Sequence, residues 1–177
     1  PTDKKGRHRL HQQVDPRLLQ DPEFRARHEQ FRTKIALAIE LVEAAIRHKV
    51  PFGVVGFDAW YLAEDVVQVL ARRRKDWISL LKKNRLLETA SFHLRDANGW
   101  ALKRPGPHLA VEALVPLIPA QAYRPVHLGE DTSGCFTLAL RIPGLGKVRI
   151  VVSCEPEALT GRSVVRVTNR ADWSAAR

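Results

Sequence analysis

The amino-acid sequence predicts an α/β protein in which a helix–strand–helix–strand segment with parallel strands precedes a mostly β region. Apolar residues recur at helical spacing before residue 48, two short apolar runs flank a second amphipathic segment, and short strand-like runs dominate after residue 86. Because strand, helix and strand follow one another with short connections, a βαβ unit is expected. The 177 residues suffice for one domain, or one domain with an insertion.

Residues 1–30 are predicted to form a polar lead-in with few apolar side chains. A short helix is expected around Pro22–Gln30, where Asp21 suits the N-cap and Pro22 the first helical position. The chain begins without Met and without the apolar run of a secretory signal. We therefore expect a processed or excised part of a longer protein.

The core segment, residues 31–85, begins with a helix predicted over Phe31–His48. Its apolar stripe is broad enough to pack on a sheet, and Thr33 is a candidate N-cap. Pro51 ends the segment. The stripe has members every three or four residues: Ile35, Ile39, Val42 and Ile46.

Phe52–Phe57 is nearly all apolar, which predicts a central strand covered on both faces. Asp58 follows it directly, and the carboxyl end of a buried strand is a common place for a metal-binding or catalytic group in open α/β sheets. The spacing leaves two alternatives open for Asp58. It either binds a divalent metal such as magnesium or caps the following helix through free backbone amides.

A second helix is predicted over Tyr61–Arg74 and a second strand over Trp77–Leu81. Positively charged residues lie at the carboxyl end of the helix, where the helix dipole favours them. Arg72 and Arg73 are among them. The apolar side of the helix consists of four residues: Val66, Val67, Val69 and Leu70.

The basic residues Lys82, Lys83 and Arg85 follow the second strand, on the same sheet edge as Asp58. They are candidates for contacts to nucleic-acid phosphates, or they form an ordinary solvated loop. Three aromatic residues can stack on bases, although aromatic residues beside strands more often belong to the core. These residues are Trp60, Tyr61 and Trp77.

Residues 86–170 are predicted to be mostly β, and residues 171–177 begin a truncated tail. Strands are expected at Phe136–Leu140, Val148–Ser153 and Val164–Thr168, with a Gly- and Pro-rich turn at Ile142–Lys147. The seven histidines show no metal-ligand spacing, and Cys135 and Cys154 read as buried free thiols of a cytoplasmic protein.

The formal net charge of +10 and the pI near 10.2 favour a polyanionic partner, most often nucleic acid. No apolar run approaches the roughly 20 residues that span a bilayer, so no membrane partner is expected. The alternative is a basic protein whose charge serves solubility.

The runs FDAWY and KDWISLLKKNR resemble the insertion-sequence transposases of the Asp-Asp-Glu (DDE) class, which have an RNase H-like catalytic domain. The runs LGKVRIVVS and VTNRADWS resemble the β-rich insertion of that family and its exit. With TKIALAIELVEAAI as the preceding helix, the resemblance covers about residues 31–174.

The resemblance implies a partial RNase H-like core in which Asp58 is the second acid of the catalytic triad. In the family this acid binds Mg²⁺ together with a first Asp on an earlier strand and a Glu on a later helix. Transposon-end DNA is expected near Lys82 and Arg85, with Lys83, Trp60, Arg72 and Arg73 as further candidates for DNA binding. The resemblance also implies target DNA as a partner, a homodimer of the complete protein and association with the nucleoid.

The sequence shows neither partner of Asp58. Asp3, Asp15 and Asp21 lie in polar, proline-punctuated sequence, and no Glu-bearing helix follows VTNRADWS. We therefore expect a fragment with one triad acid that does not cleave DNA alone. Two alternatives remain, a non-catalytic basic DNA-binding module and an interaction domain with incidental positive charge.

Overall fold

The computed structural model describes residues 16–96, 98–101, 106–154 and 163–174. The chain divides into two compact units, Pro1–Leu37 and Ala38–Arg177. The described part of the first unit contains a 3₁₀ turn, Leu18–Gln20, and helix α1, Pro22–Gln30. Asp21 Oδ1 accepts a hydrogen bond from the amide of Glu23 at 2.9 Å, which confirms the predicted N-cap. The candidate acids Asp3 and Asp15 lie outside the described residues.

Helix α2 covers Lys34–Arg47, so the predicted helix is confirmed with slightly shorter bounds. Thr33 Oγ1 accepts a hydrogen bond from the amide of Ala36 at 3.1 Å, as expected for its N-cap. The apolar stripe is only half-buried, and Leu41 on the same helix is 71% exposed. The structure thus confirms the helix but covers its stripe less completely than the sequence predicts.

The second unit contains the predicted βαβ arrangement. Strand β1 (Val54–Phe57) and strand β2 (Asp76–Leu80) are parallel neighbours, and helix α3 (Glu64–Arg72) connects them. The ring of Phe57 stacks on that of Trp77 with centroids 5.9 Å apart. The predicted apolar side of α3 is confirmed, because all four of its residues are buried.

The β-rich region extends the same sheet. Strands β5 (Arg124–Leu128), β6 (Asp131–Ile142), β7 (Gly146–Cys154) and β8 (Val164–Thr168) give the order β1-β2-β8-β7-β6-β5. Every neighbouring pair except β1 and β2 is antiparallel. The three strands predicted in this region are confirmed, and β6 and β7 extend beyond the predicted bounds.

A second, two-stranded sheet lies between β2 and β5 in the chain. It pairs β3 (Leu86–Glu88) with β4 (His108–Ala110), and the short helix α4 (Val111–Leu114) follows. Among the described residues the architecture is therefore mixed α/β, with four α-helices and a mostly antiparallel six-stranded sheet.

The prediction that the first strand is central and covered on both faces is wrong. Strand β1 lies at the edge of the six-stranded sheet, and its residues alternate between exposed and half-buried. The more exposed positions of β1 are Val54, which is 42% exposed, and Gly56, which has no side chain. Neither residue is polar, so the sequence of this strand shows no polar face. Such a short edge strand therefore looks like a buried one in the sequence.

Alternation along β7 and over Val164–Val167 of β8 shows that one face of the sheet is more buried than the other. In β7, buried residues alternate with half-buried ones from Val148 to Cys154. The buried face includes Trp77, Ile150, Val152 and Val167, each at most 1% exposed. The hairpin between β6 and β7 turns at Gly144 and Gly146, both with positive φ, as the Gly- and Pro-rich turn predicts.

No helix in the described part of the chain combines the length and the apolar character that a membrane span requires.

Cys135 and Cys154 are buried free thiols, as predicted, and lie on the neighbouring strands β6 and β7. Their positions are offset, because Cys135 pairs with Ser153 and Cys154 with Gly134. Burial raises the pKa of both thiols, and it also raises the pKa of the nearby Tyr123 to about 12.

These shifts predict that alkali destabilises the fold. An unfolded chain loses its thiol protons near pH 8.5, whereas the folded chain retains them, so the associated stability is present below about pH 8.5 and is lost as the pH rises through the folded pKa values. Denaturant titrations between about pH 8 and pH 10 should show a falling free energy of unfolding. The double variant Cys135→Ala, Cys154→Ala should flatten this profile, and an equally steep profile in the variant would refute the assignment.

Candidate nucleic-acid interface

The candidate interface is one edge of the sheet, where β1 and β2 both end. Because these strands are parallel, the residues that follow them lie at the same edge. The direct evidence is a contact between the two strand ends, since Lys82 Nζ lies 4.0 Å from the centre of the Trp60 ring. A cation over an indole face at this distance is attracted by the ring quadrupole. The structure therefore brings Lys82 to Trp60, at the edge where the sequence predicts the basic residues to lie near Asp58.

Asp58 is exposed and closes a tight turn after β1. Its Oδ1 accepts a hydrogen bond from the amide of Trp60 at 2.9 Å, and its backbone carbonyl accepts one from Tyr61 at 2.9 Å. Helix α3 begins only at Glu64, and its N-cap, Ala63, makes no side-chain bond. The alternative that Asp58 caps this helix is wrong, because the turn uses the carboxylate before the helix begins.

No group of three or more His, Cys, Asp or Glu residues in the described ranges is arranged to hold a metal ion. The neighbouring strand β2 ends in Leu80, followed by Leu81 and Lys82, so it adds no acid beside Asp58. Mg²⁺ keeps several waters among its roughly six oxygen ligands, and proteins usually bind it through one or two carboxylates together with substrate phosphates. Asp58 is therefore a candidate for one such ligand, but the described residues hold no carboxylate cluster for a pair of metal ions.

The loop Lys82–Arg85, which we call the basic loop, is held by backbone hydrogen bonds. The amide of Arg85 donates to the carbonyl of Lys82 at 3.0 Å and closes the turn. The carbonyls of Lys83 and Arg85 accept from the amides of Glu112 and Val111 at 2.9 and 3.0 Å. Since Lys82 and Lys83 remain exposed on this fixed backbone, both ammonium groups can reach a phosphate from solvent.

Arg85 differs from the two lysines because it is half-buried and engaged within the protein. Its Nη2 donates a hydrogen bond to the carbonyl oxygen of Pro143 at 3.1 Å, which ties the β6–β7 turn to the basic loop. Pro143, Asn84, Arg85 and Trp60 are among the residues that line a cavity of about 520 Å³ at this edge. Sequence reasoning missed Pro143, because a contact across 58 positions leaves no local pattern.

Arg72 and Arg73, also predicted to bind DNA, lie elsewhere. They are at the end of α3, which leads into the amino end of β2, so they occupy the edge opposite Lys82. Arg73 forms a two-pronged ion pair with Glu43, with N–O distances of 2.6 and 3.0 Å, and this hydrogen-bonded contact lowers the pKa of the Glu43 carboxyl. Arg73 thus ties α3 to α2, and Arg72 remains exposed.

The three candidate aromatic residues also have different positions. Trp77 is 1% exposed and belongs to the core, where it stacks on Phe57. Trp60 is 64% exposed and Tyr61 is 36% exposed, both at the candidate edge. Of the three, Trp60 best fits a surface that stacks on a base, because its ring is open to solvent and lies beside Lys82.

No protein-family model matches the chain, and no curated protein sequence matches it. The functional interpretation therefore depends on the residues at this edge and on their geometry.

Proposed function

We propose that this chain is part of a DNA transposase of the DDE class, and that Asp58 is one of the acids of an RNase H-like catalytic domain. The observation that carries the proposal is the parallel β1–α3–β2 unit, with Asp58 after the first strand and the basic loop after the second. The contact between Lys82 and Trp60 further supports it, since it joins a cation and an exposed aromatic ring beside the acid. Transposon-end cleavage and strand transfer are proposed for the complete protein only.

The position of β1 indicates where a second acid would have to lie. Two carboxylates that share a metal ion need neighbouring positions, and adjacent strands are about 4.8 Å apart. On one side of β1 lies β2, which carries no acid at its carboxyl end. The other side of β1 has no strand among the described residues. A strand added there in the parallel direction would end beside Asp58, which is the arrangement that the proposal requires.

The described residues fit Mg²⁺ poorly, because they include no group of three or more His, Cys, Asp or Glu residues that could hold a metal ion. The proposal therefore assigns no cleavage to this chain alone. It assigns DNA binding, through the exposed lysines of the basic loop and the net charge of +10. Transposon ends and target DNA are the proposed partners, and a homodimer is the proposed state of the complete protein.

DNA binding is predicted to weaken when the basic loop loses its cations. The double variant Lys82→Gln, Lys83→Gln should lower duplex affinity and reduce the slope of log K against log salt by about 2, because each phosphate contact contributes about 1. Fluorescence anisotropy of a labelled duplex across a salt series measures both quantities.

The double variant Arg72→Gln, Arg74→Gln is the matched control, because it removes two exposed cations at the opposite edge. It should leave the slope nearly unchanged. An equal loss of slope in the control would place the DNA elsewhere on the surface. Binding that does not depend on salt would favour an interaction domain with incidental charge.

The purified chain is predicted not to nick DNA in Mg²⁺ or Mn²⁺. A supercoiled plasmid that carries the DNA flanking the coding sequence should stay supercoiled, because one carboxylate does not position two metal ions. Metal-dependent nicking that disappears in Asp58→Ala would show that the chain completes an active site by itself.

A non-catalytic DNA-binding module is the second candidate function. The observation that favours it is the use of Asp58 Oδ1 in the turn to Trp60, which gives the residue a structural role without any metal. The two candidates differ in the Asp58→Asn variant of the complete protein, because an asparagine oxygen still accepts the Trp60 amide. Strand transfer that is lost in Asp58→Asn while DNA binding is retained supports the transposase. DNA binding without strand transfer, both before and after the substitution, supports the module.

A further inference from the structure

The two runs KDW and VTNRADWS, which are 92 positions apart, meet at the amino end of β2. Strand β8 is antiparallel to β2, so the residue that follows it, Asn169, lies beside Asp76. Asn169 Oδ1 accepts a hydrogen bond from the amide of Trp77 at 2.9 Å, and Asn169 Nδ2 donates to Asp76 Oδ1 at 3.1 Å. The asparagine side chain thus continues the hydrogen bonding of the sheet one step beyond the last strand pair.

Arg170 adds an ionic contact to this arrangement. Its Nη1 donates to Asp76 Oδ2 at 2.8 Å, while Nε and Nη2 donate to the two carboxylate oxygens of Asp172 at 2.9 and 2.7 Å. Its guanidinium carbon also lies 5.3 Å from the centre of the Trp173 ring. One guanidinium therefore joins the start of β2 to the residues after β8.

A second arginine holds the same segment from the middle of the sheet. Arg149 of β7 donates from Nε to the carbonyl oxygen of Ala171 at 2.7 Å and from Nη1 to Thr137 Oγ1 at 3.3 Å. Each of the first four residues of the segment Asn169–Trp173 is thus bound by a side chain of β2, of β7 or of the segment itself. The backbone of the segment adds two turn hydrogen bonds, from the Ala171 amide to Asn169 and from the Trp173 amide to Arg170, and the Arg170 amide donates to Thr168 Oγ1.

We propose that Asp76, Asn169 and Arg170 form a latch that fixes the segment Asn169–Trp173 against the amino end of β2 and so sets the direction in which the chain leaves β8. Asp76 is the central member, because it binds both other residues through its two oxygens. The Arg170 and Asp76 side chains are 37% and 26% exposed, so salt weakens the latch without unfolding the sheet.

The latch also has a consequence that rests on the proposed function. In the proposed transposase the third acid belongs to a later helix, and the path of that helix depends on how the chain leaves β8. Asp76 and Arg170 are then positioning residues rather than catalytic residues. The latch itself is independent of that proposal and is tested on the isolated chain without DNA or metal.

Trypsin cleavage after Arg170 measures the latch, because a protease needs the segment to detach from the sheet. Asp76→Asn should raise the rate of this cleavage about tenfold or more, since it removes a charged acceptor but keeps the amide contact to Asn169. Mass spectrometry of the Arg170–Ala171 cut in the full chain gives the rate. Hydrogen exchange of the Ile150 amide in β7 reports whether the sheet itself has opened.

The matched control is Asp65→Asn, which removes an exposed carboxylate in the first turn of α3. It should leave the cut after Arg170 unchanged. Faster cutting in Asp76→Asn with unchanged exchange at Ile150 supports the latch. An unchanged rate in Asp76→Asn, an equal increase in the control, or parallel acceleration of Ile150 exchange would each overturn it. If the latch is supported but DNA binding fails its own test, only the proposed function is lost.

Discussion

The parallel pairing of β1 and β2 is the constraint on which the rest of the molecule depends. Its register places Val54 opposite Asp76 and Phe57 opposite Ser79, so both strands end at one edge and begin at the other. Helix α3 spans the two edges because it must return the chain from the end of β1 to the start of β2. The candidate nucleic-acid edge and the latch around Asp76 therefore lie at opposite ends of the same two strands.

Local patterns in the sequence predicted those features that depend on neighbouring residues. The apolar stripe of α3, the caps at Asp21 and Thr33, and the turn at Gly144 were all correctly predicted, because periodicity and turn chemistry act over a few residues. The edge position of β1 and the pairing of β2 with β8 were not. The residue pattern of a strand predicts how much of each of its faces is buried, but it does not predict which strands are its neighbours in the sheet.

At the candidate site, the sequence likewise did not predict which charged residues have partners elsewhere in the protein. The sequence grouped five cations as DNA contacts, but the structure gives them different roles. Arg73 already binds Glu43, and Arg85 already donates to Pro143, so each would exchange an internal hydrogen bond for a phosphate contact. Lys82 and Lys83 are exposed on a fixed backbone, and Lys82 also lies over the Trp60 ring. The net charge of +10 therefore does not show how many cations are available to DNA. Arg73 and Arg85 can contact a phosphate only by giving up a hydrogen bond inside the protein.

The turn at Asp58 is compatible with a role of its carboxylate in metal binding and with a purely structural role. The hydrogen bond from the Trp60 amide uses Oδ1 and fixes the plane of the carboxylate, while in the described part of the chain Oδ2 has no hydrogen-bond partner. Metal-binding carboxylates are themselves commonly held by such hydrogen bonds, which orient them for the ion. The hydrogen bond at Oδ1 is thus compatible with metal binding through Oδ2. What decides the role of Asp58 is whether a second acid reaches it, and in the described part of the chain no strand pairs with the outer side of β1.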